Sequence, residues 1–373
     1  MLRCTGNVKR VSDKMFTASK SMMASIENDR QIHPDEMNIT KYIDSYVLEG
    51  VARVVLNLDD EGFKLCREEI KNYLFFSNWS ASAENEAAGL ARLFPTLTPI
   101  LKLADKEHKK SCEELVAILR KYISSTMNGQ NNNTIASDDH ASLLSYLLSA
   151  NVLDRDIDGS LERRDLTLDE IISHVLSLLS EMYSTTTAAI QFILYELAIN
   201  PDVQENLYKE MCHYCGTGDN FTLTECDRME YFDMILYEAI RLHPIAPGLS
   251  RVCTRDCKIR NVTFKEGMVV RVMTSPLYRD ENIYKNPDEF DPERFSKKNR
   301  ETRHQYSFLP FGQGPRMCPG QKLAIIEVKY AVISIIKSYV LSTSKNTEIP
   351  LKEALRPSLT PANGVTISLT PRT

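Results

Sequence analysis

The sequence predicts a mainly α-helical protein with a small β region. Apolar residues recur with helical periodicity up to about residue 245, in candidate helices at 8–26, 39–56, 63–74, 109–127 and 140–150. Short strand-like and loop-like segments follow, and then one more helix and a closing hairpin. No Gly/Ser-rich linker divides the chain, so we expect residues 1–373 to form a single domain.

Composition and charge exclude several classes of protein. The chain is 43% hydrophobic with a net charge of -5, and acidic and basic residues are interspersed, which gives no reason to expect a nucleic-acid partner. Nine cysteines lie without regular spacing, and no apolar run is long enough to cross a bilayer. We therefore expect reduced thiols in a cytosol-facing protein.

Two connecting segments have distinct compositions. Residues 91–103, A-R-L-F-P-T-L-T-P-I-L-K-L, are apolar and interrupted by proline, which fits a connector that lies over a pocket or a membrane surface. Residues 127–133, M-N-G-Q-N-N-N, are typical of a flexible surface loop.

The longest predicted helix begins after Thr167. Thr167 and Glu170 form a capping box in T-L-D-E, and the helix continues to Asn200, before Pro201. At 1.5 Å per residue it is about 50 Å long. It is apolar around most of its circumference, so we expect it to be central and buried.

Cys318 stands in the segment F-L-P-F-G-Q-G-P-R-M-C-P-G. We expect a helix whose first turn begins with Pro319, and the positive end of that helix favours a thiolate at Cys318. Glycines at 312, 314 and 320 allow backbone to approach a flat ligand. A nucleophilic cysteine needs a nearby base, and a zinc site needs further ligands at close spacing. A single thiolate suits haem iron, because the porphyrin supplies four ligands. The alternative is an inert buried cysteine.

Three motifs together resemble one family. The segment around Cys318 matches F-x-x-G-x-R-x-C-x-G, E-A-I-R matches E-x-x-R, and F-D-P-E-R-F places an arginine at the position that the family calls its meander. These are signatures of the cytochrome P-450 family, the haem-thiolate monooxygenases. The matching residues are Phe311, Gly314, Arg316, Cys318, Gly320, Glu238, Arg241 and Arg294.

Further segments are similar to the 3A branch and to the related thromboxane synthases, including Y-E-L-A-I-N-P-D-V-Q and P-E-R-F-S-K-K-N. The resemblance is weak over the first 160 residues and strong from about Leu166 onward. It implies a P-450 fold without its N-terminal portion: the membrane anchor, the early helices and most of the first sheet. We therefore expect this form to bind haem weakly.

The resemblance also implies a cofactor and its contacts. Haem b, iron protoporphyrin IX, takes Cys318 as its axial ligand. Arg316 and Arg251 are candidates to pair with the haem propionates, and the alternative for Arg251 is a surface cation. Glu238 and Arg241 are either a solvated pair or, with Arg294, a buried network that fixes the cysteine loop. These roles of the cysteine, the arginines and the glutamate follow from the family resemblance.

The central helix departs from the family pattern. The small-Gly-x-acid-Thr-Thr stretch that binds oxygen in the family falls on residues 181–186, E-M-Y-S-T-T. Thr185 is retained as a candidate for proton relay, and its hydroxyl could break the helix hydrogen-bond ladder. The alternative is that Thr185 is only one of three threonines that face the core. Met182 replaces the glycine and Ser184 replaces the acid, which weakens both oxygen access and proton delivery.

The activity implied is insertion of one oxygen atom from O2 into an apolar substrate, such as a steroid, a lipid or a xenobiotic. Electrons come from NADPH through a flavoprotein reductase. The location implied is the cytosolic face of the endoplasmic reticulum membrane, with peripheral membrane contact, because the anchor is absent from this chain. Three alternatives remain: a haem-thiolate isomerase, a degenerate haem-binding protein with little activity, and a structural helical protein without haem.

Overall fold

The computed structural model describes residues 5–32, 35–81, 106–130, 143–155, 161–216, 218, 220–356 and 358–372. Its α-helices are α1 (Thr5–Arg30), α2 (Thr40–Leu56), α3 (Asp60–Ala81), α4 (Lys106–Gln130), α5 (Leu143–Leu148), α6 (Leu168–Ile199), α7 (Pro201–Cys215), α8 (Leu223–Cys226), α9 (Glu230–Leu242), α10 (Thr274–Tyr278), α11 (Lys297–Glu301) and α12 (Gln321–Ser338). Within the described ranges, none of these helices is both long and apolar enough to cross a membrane.

The strands are short and all their pairings are antiparallel. They are β1 (Met37–Asn38), β2 (Asn151–Arg155), β3 (Leu161–Asp165), β4 (Gly248–Val252), β5 (Cys257–Ile259), β6 (Val262–Phe264), β7 (Val269–Met273), β8 (Tyr339–Ser342), β9 (Glu353–Leu355), β10 (Leu359–Pro361) and β11 (Thr366–Pro371). One sheet has the order β1-β11-β8, and the other pairs are β2-β3, β4-β7, β5-β6 and β9-β10.

Helix α6 is the centre of the fold. The predicted capping box is present, since Thr167 and Glu170 each accept from the other's backbone N–H, and the helix ends at Ile199 before Pro201. Its C-terminal half is buried without a break from Thr186 to Ala198, and it packs against α2, α9 and α12. Its N-terminal half buries one face only, so the prediction of an all-round apolar helix holds for the second half alone.

Between residues 127 and 165, the structure differs from the sequence predictions in three places. Strands β2 and β3 pair with each other, which the sequence did not reveal because these strands lack apolar alternation. Helix α4 continues through Gln130, so the first part of the predicted 127–133 loop is helical, and the rest lies outside the described residues. The helix predicted at 140–150 is described only as Leu143–Leu148. The connector at 91–103 lies outside the described residues.

Candidate active site

The loop that carries Cys318 folds back on itself. The Cys318 N–H donates to the carbonyl of Phe311 at 2.8 Å, which closes the loop. Gly312 and Gly314 have φ angles of 71° and 77°, values that side-chain-bearing residues rarely adopt, so the turn requires glycine at both positions. Gly320 has no such angle, and a Cβ there would lie 3.9 Å from the Cys318 Sγ. The loop therefore requires glycine for its backbone conformation at 312 and 314, whereas a side chain at 320 would meet the cysteine sulfur at ordinary van der Waals distance.

The helix after Cys318 begins later than predicted. Helix α12 starts at Gln321 with Gly320 as its N-cap, so the prediction that its first turn begins with Pro319 is wrong. Pro319 lies in the turn before the helix, because the first backbone bond of the α type runs from the Ala324 N–H to the Gly320 carbonyl. Cys318 is half-buried, and Arg316 and Met317 beside it are exposed.

Behind this loop lies a buried charge network. Arg241 donates from Nε and Nη2 to the two carboxylate oxygens of Glu238 at 2.7 and 2.8 Å, and both side chains are fully buried. Arg294 donates from Nε to Glu238 Oε1 at 3.1 Å. The Asp291 N–H donates to the same oxygen at 2.9 Å. The three residues of the E-x-x-R and meander motifs are thus brought together on one carboxylate.

Tyr278 connects this network with the cysteine loop. Arg241 donates to the Tyr278 carbonyl at 2.9 Å, and the Tyr278 hydroxyl accepts from the Leu309 N–H at 2.9 Å. The ring of Phe308 packs against those of Tyr278 and Phe295 at centroid distances of 5.1 and 4.6 Å. Burial raises the pKa of Tyr278, so its hydroxyl keeps its proton. The sequence analysis missed Tyr278, because a lone tyrosine in T-S-P-L-Y carries no motif.

In residues 181–186 of α6, successive residues face different neighbours, since each step turns the helix by 100°. Tyr183 lies beside the Asp44 carboxyl on α2, and burial raises the pKa of both groups. Ser184 is buried, and its hydroxyl accepts from Ser358 Oγ at 3.3 Å. Thr185 is partly exposed, and its hydroxyl donates to the Glu181 carbonyl at 2.7 Å. The helix is continuous here, so the hydroxyl of Thr185 does not interrupt the backbone ladder.

Thr186 faces an isolated acid on α12, the helix that follows Cys318. Glu327 is fully buried, and Thr186 is the polar side chain beside its carboxyl. No hydrogen bond of normal geometry reaches either carboxyl oxygen of Glu327. Burial raises the pKa of Glu327 to about 8, so the group is a neutral acid at pH 7. The sequence analysis missed Glu327, although an acid within the apolar run I-I-E-V-K is a signal of a buried carboxyl group.

His243 joins α6 to the C-terminal strands. It follows the E-x-x-R helix, and its Nε2 lies 2.8 Å from Glu196 Oε1 on α6. Its Nδ1 lies 2.5 Å from Glu353 Oε1 on β9. Burial lowers the pKa of His243, but hydrogen bonds to the two carboxylates outweigh it and the net shift is upward. The charged imidazolium therefore links α6 to β9 through these two hydrogen bonds. Ser358 lies in the turn that follows β9.

The two remaining arginines make local contacts or are open to solvent. Arg251 on β4 is exposed and donates from Nη1 to the carbonyl of Ser250 at 2.8 Å. Arg316 is exposed in the 3-10 turn Gly314–Arg316. The pairing of either guanidinium with a haem propionate therefore stays a prediction.

The donor set fits a haem better than a metal bound by protein ligands alone. Among the described residues, no group of three or more His, Cys, Asp or Glu could hold a metal ion. A thiol on an exposed, glycine-shaped loop with an arginine beside it suits a cofactor that brings its own equatorial ligands. Cys318 would supply the axial ligand, and the loop backbone would lie against the ring.

A comparison with known families gives a match over almost the whole chain. The family model of cytochrome P450 matches residues 7–368. The chain belongs to the cytochrome P450 family. The resemblance and the mainly α fold class predicted from the sequence are thereby confirmed.

Curated relatives of this P450 carry 3A names. It is 38% identical to cytochrome P450 3A12 of the dog, Canis lupus familiaris, over 54% of this chain and 40% of the relative. It is 28% identical to cytochrome P450 3A40 of Oryzias latipes over 99% of this chain and 72% of the relative. It is 38% identical to cytochrome P450 3A13 of Mus musculus over 54% of this chain and 40% of the relative. The predicted likeness to the 3A branch is confirmed, and the chain spans 40% to 72% of these relatives.

Proposed function

We propose that this P450 is a haem-thiolate monooxygenase with Cys318 as its axial ligand. The observation that carries the proposal is the cysteine loop, closed by the 2.8 Å bond from Cys318 to Phe311 and backed by the Glu238 network. Residues 1–373 act as one catalytic domain. The bound haem supplies activation of O2, and a flavoprotein reductase supplies electrons from NADPH.

The residues of the chain hold the cofactor and manage protons. Phe311, Gly314 and Gly320 shape the loop, and Arg316 and Arg251 pair with propionates as charge-assisted donors. The Thr185 hydroxyl donates its proton to the Glu181 carbonyl at 2.7 Å, and its partly exposed oxygen is left to accept from a bound ligand. The substrate is an apolar small molecule of the steroid, lipid or xenobiotic class. The family and its relatives favour the cytosolic face of the endoplasmic reticulum membrane.

A second candidate function is isomerisation of a peroxide, which needs neither a reductase nor a proton relay. It is favoured by Ser184, which lacks a carboxyl and already contacts Ser358 at 3.3 Å. Met182 stands where the family has a glycine. A haem-binding protein with little activity is the outcome if neither reaction proceeds.

The ligand assignment is tested by spectroscopy. The haem-loaded, reduced protein is expected to show the thiolate-specific absorption band with carbon monoxide, and Cys318→Ala is expected to lose it. Cys112→Ala, which replaces a cysteine far along the chain on α4, is the matched control and is expected to keep the band. An unchanged spectrum in Cys318→Ala would refute the assignment.

The two enzyme functions are then separated by their oxidants. Turnover of an apolar substrate that requires NADPH and the reductase supports the monooxygenase. Rearrangement of a hydroperoxide with no reductase present supports the isomerase. Thr185→Ala is expected to slow the first reaction and to leave the second unchanged, because only the first consumes protons delivered at Thr185.

A further inference from the structure

Two thiols lie in contact at the junction of the two small β ribbons. Cys253 follows β4 and Cys257 begins β5, and their Sγ atoms are 3.9 Å apart. Cys257 is exposed and Cys253 is half-buried, so solvent reaches the pair. They differ from Cys66, Cys215 and Cys226, which are buried in the core. This position suits chemistry with a small dissolved reagent.

The backbone holds the two cysteines in place from both sides. The Cys253 N–H donates to the Met268 carbonyl, and the Cys253 carbonyl accepts from the Gly267 N–H, both at 2.8 Å. Cys257 is paired with Phe264 in the ladder of β5 and β6. Both ends of the five-residue turn 253–257 are therefore anchored to the same segment, 264–268.

Asp256 fixes the turn between the cysteines. Its carboxylate accepts from the Glu266 N–H at 2.9 Å and from Lys265 Nζ at 2.7 Å. The Cys253 Sγ also lies 3.0 Å from the Arg255 carbonyl. The paired backbone thus holds the two residues close together, and their side-chain rotamers set the separation of the sulfurs at 3.9 Å.

We infer that Cys253 and Cys257 form a reversible intramolecular disulfide when the protein meets a hydroperoxide. The thiolate of one cysteine attacks the peroxide oxygen, which gives a sulfenic acid and releases water or an alcohol. The second thiol displaces the hydroxyl group as water and forms the S–S bond. Together the two thiols lose two electrons and two protons, and the peroxide takes up the electrons and the protons.

The bond requires a small rearrangement. A disulfide holds its sulfurs about 2.0 Å apart, so the present separation of 3.9 Å shortens by a change of side-chain rotamers. The product ties the β4-β7 ribbon to the β5-β6 ribbon. Arg251, the proposed propionate partner, lies two residues before Cys253, so the oxidised turn also restrains the strand that carries it.

Peptide mass spectrometry of the full chain tests this inference. The protein is treated with hydrogen peroxide, free thiols are alkylated, and the chain is digested with trypsin. Cleavage after Arg251, Arg255 and Lys258 separates V-C-T-R from D-C-K. The expected product is these two peptides joined and two hydrogens lighter than their sum, and dithiothreitol is expected to separate them.

Two variants make the result specific. Cys257→Ser is expected to abolish the joined peptide and to leave Cys253 as a sulfenic or further oxidised acid. Cys112→Ser, a change at a half-buried cysteine on α4, is expected to leave the joined peptide unchanged. The inference is overturned if peroxide oxidises the two cysteines separately, or if either cysteine links instead to another chain or to a different cysteine.

Discussion

Glu238 and Glu327 are both fully buried, yet their surroundings differ. Glu238, behind the cysteine loop, accepts four hydrogen bonds, from Arg241, Arg294 and the Asp291 N–H. Glu327, on the helix after Cys318, has no partner of normal geometry at either carboxyl oxygen. The contrast separates two uses of a buried acid, one as an anion and one as a neutral group.

Burial raises the pKa of both groups, but only Glu238 has cations that oppose the shift. Two guanidinium groups in hydrogen-bond contact favour the Glu238 carboxylate, and we treat it as ionised. Glu327 has a pKa of about 8 and stays protonated at neutral pH. The first acid orders a loop through charge, and the second packs as a neutral group whose ionisation destabilises the fold.

Removing the carboxylate of the network is expected to have the largest effect. Glu238→Ala leaves the buried Arg241 without its anion, which typically costs about 3–5 kcal/mol in the free energy of unfolding. Urea unfolding measures this cost, and loss of haem is expected to accompany it because Tyr278 and Leu309 lose their support.

Two further variants sharpen that result. Arg294→Ala keeps the Glu238–Arg241 pair, so the expected cost is lower, about 1.5–3 kcal/mol. Glu293→Ala changes an exposed residue of the same turn and serves as the control. Near wild-type stability in Glu238→Ala would show that the network contributes nothing to the fold.

The titration of Glu327 is expected to make the free energy of unfolding depend on pH. Its folded pKa is raised from 4.5 to about 8, so its contribution to stability is fully present below pH 4.5 and is lost as pH rises to about 8. The slope is roughly 1.4 kcal/mol per pH unit for one proton. Glu327→Gln removes the titration, so its unfolding free energy should fall less between pH 5 and 8.

The control for this pH series is Glu301→Gln, a change at an exposed position. Its pH profile is expected to follow that of the wild type. Parallel profiles for Glu327→Gln and wild type over the same range would contradict the neutral buried acid.

The sequence indicated one of these two glutamates and not the other. The E-x-x-R motif and the meander arginine indicated Glu238, Arg241 and Arg294, because charged side chains at fixed spacing are visible in a sequence. The other acceptors of Arg241 are the carbonyls of Tyr278, Pro287 and Glu289, and backbone acceptors leave no residue-type signal. Glu327 was missed because its character comes from what surrounds it.

The fold, too, was predicted best where the signal lies in residues close together in sequence. The capping box at Thr167 fixed the start of α6 correctly, because both partners are local in sequence. The helix after Cys318 was started two residues early, because proline also suits the turn that precedes a helix. The paired strands β2 and β3 are polar and gave no periodic pattern.

His243 extends the comparison to a buried cation. Its pKa is raised, so its contribution to stability is fully present below the unfolded value of 6.5 and is lost as pH rises through the folded value. In a Glu327→Gln background, which removes the overlapping titration, His243→Gln is expected to cost about 1.5–3 kcal/mol at pH 6. That cost should shrink toward pH 9, as measured by urea unfolding. A cost independent of pH would mean that the imidazole is neutral in the fold.

The smallest expected effect concerns the hydroxyls of Ser184 and Ser358. Ser184 and Ser358 share one hydrogen bond of 3.3 Å, and neither group carries a charge. A neutral hydrogen bond contributes about 0.5–1.5 kcal/mol, so Ser184→Ala and Ser358→Ala should each lower the unfolding free energy by that amount. Because both variants remove the same bond, the double variant should cost less than the sum of the two.

Thr185→Ala is the neighbouring control, since its hydroxyl bonds within its own helix and should couple to neither serine. Additive costs for Ser184 and Ser358 would instead mean that the contact carries no energy. In that case the Ser184 hydroxyl remains available to donate to another group.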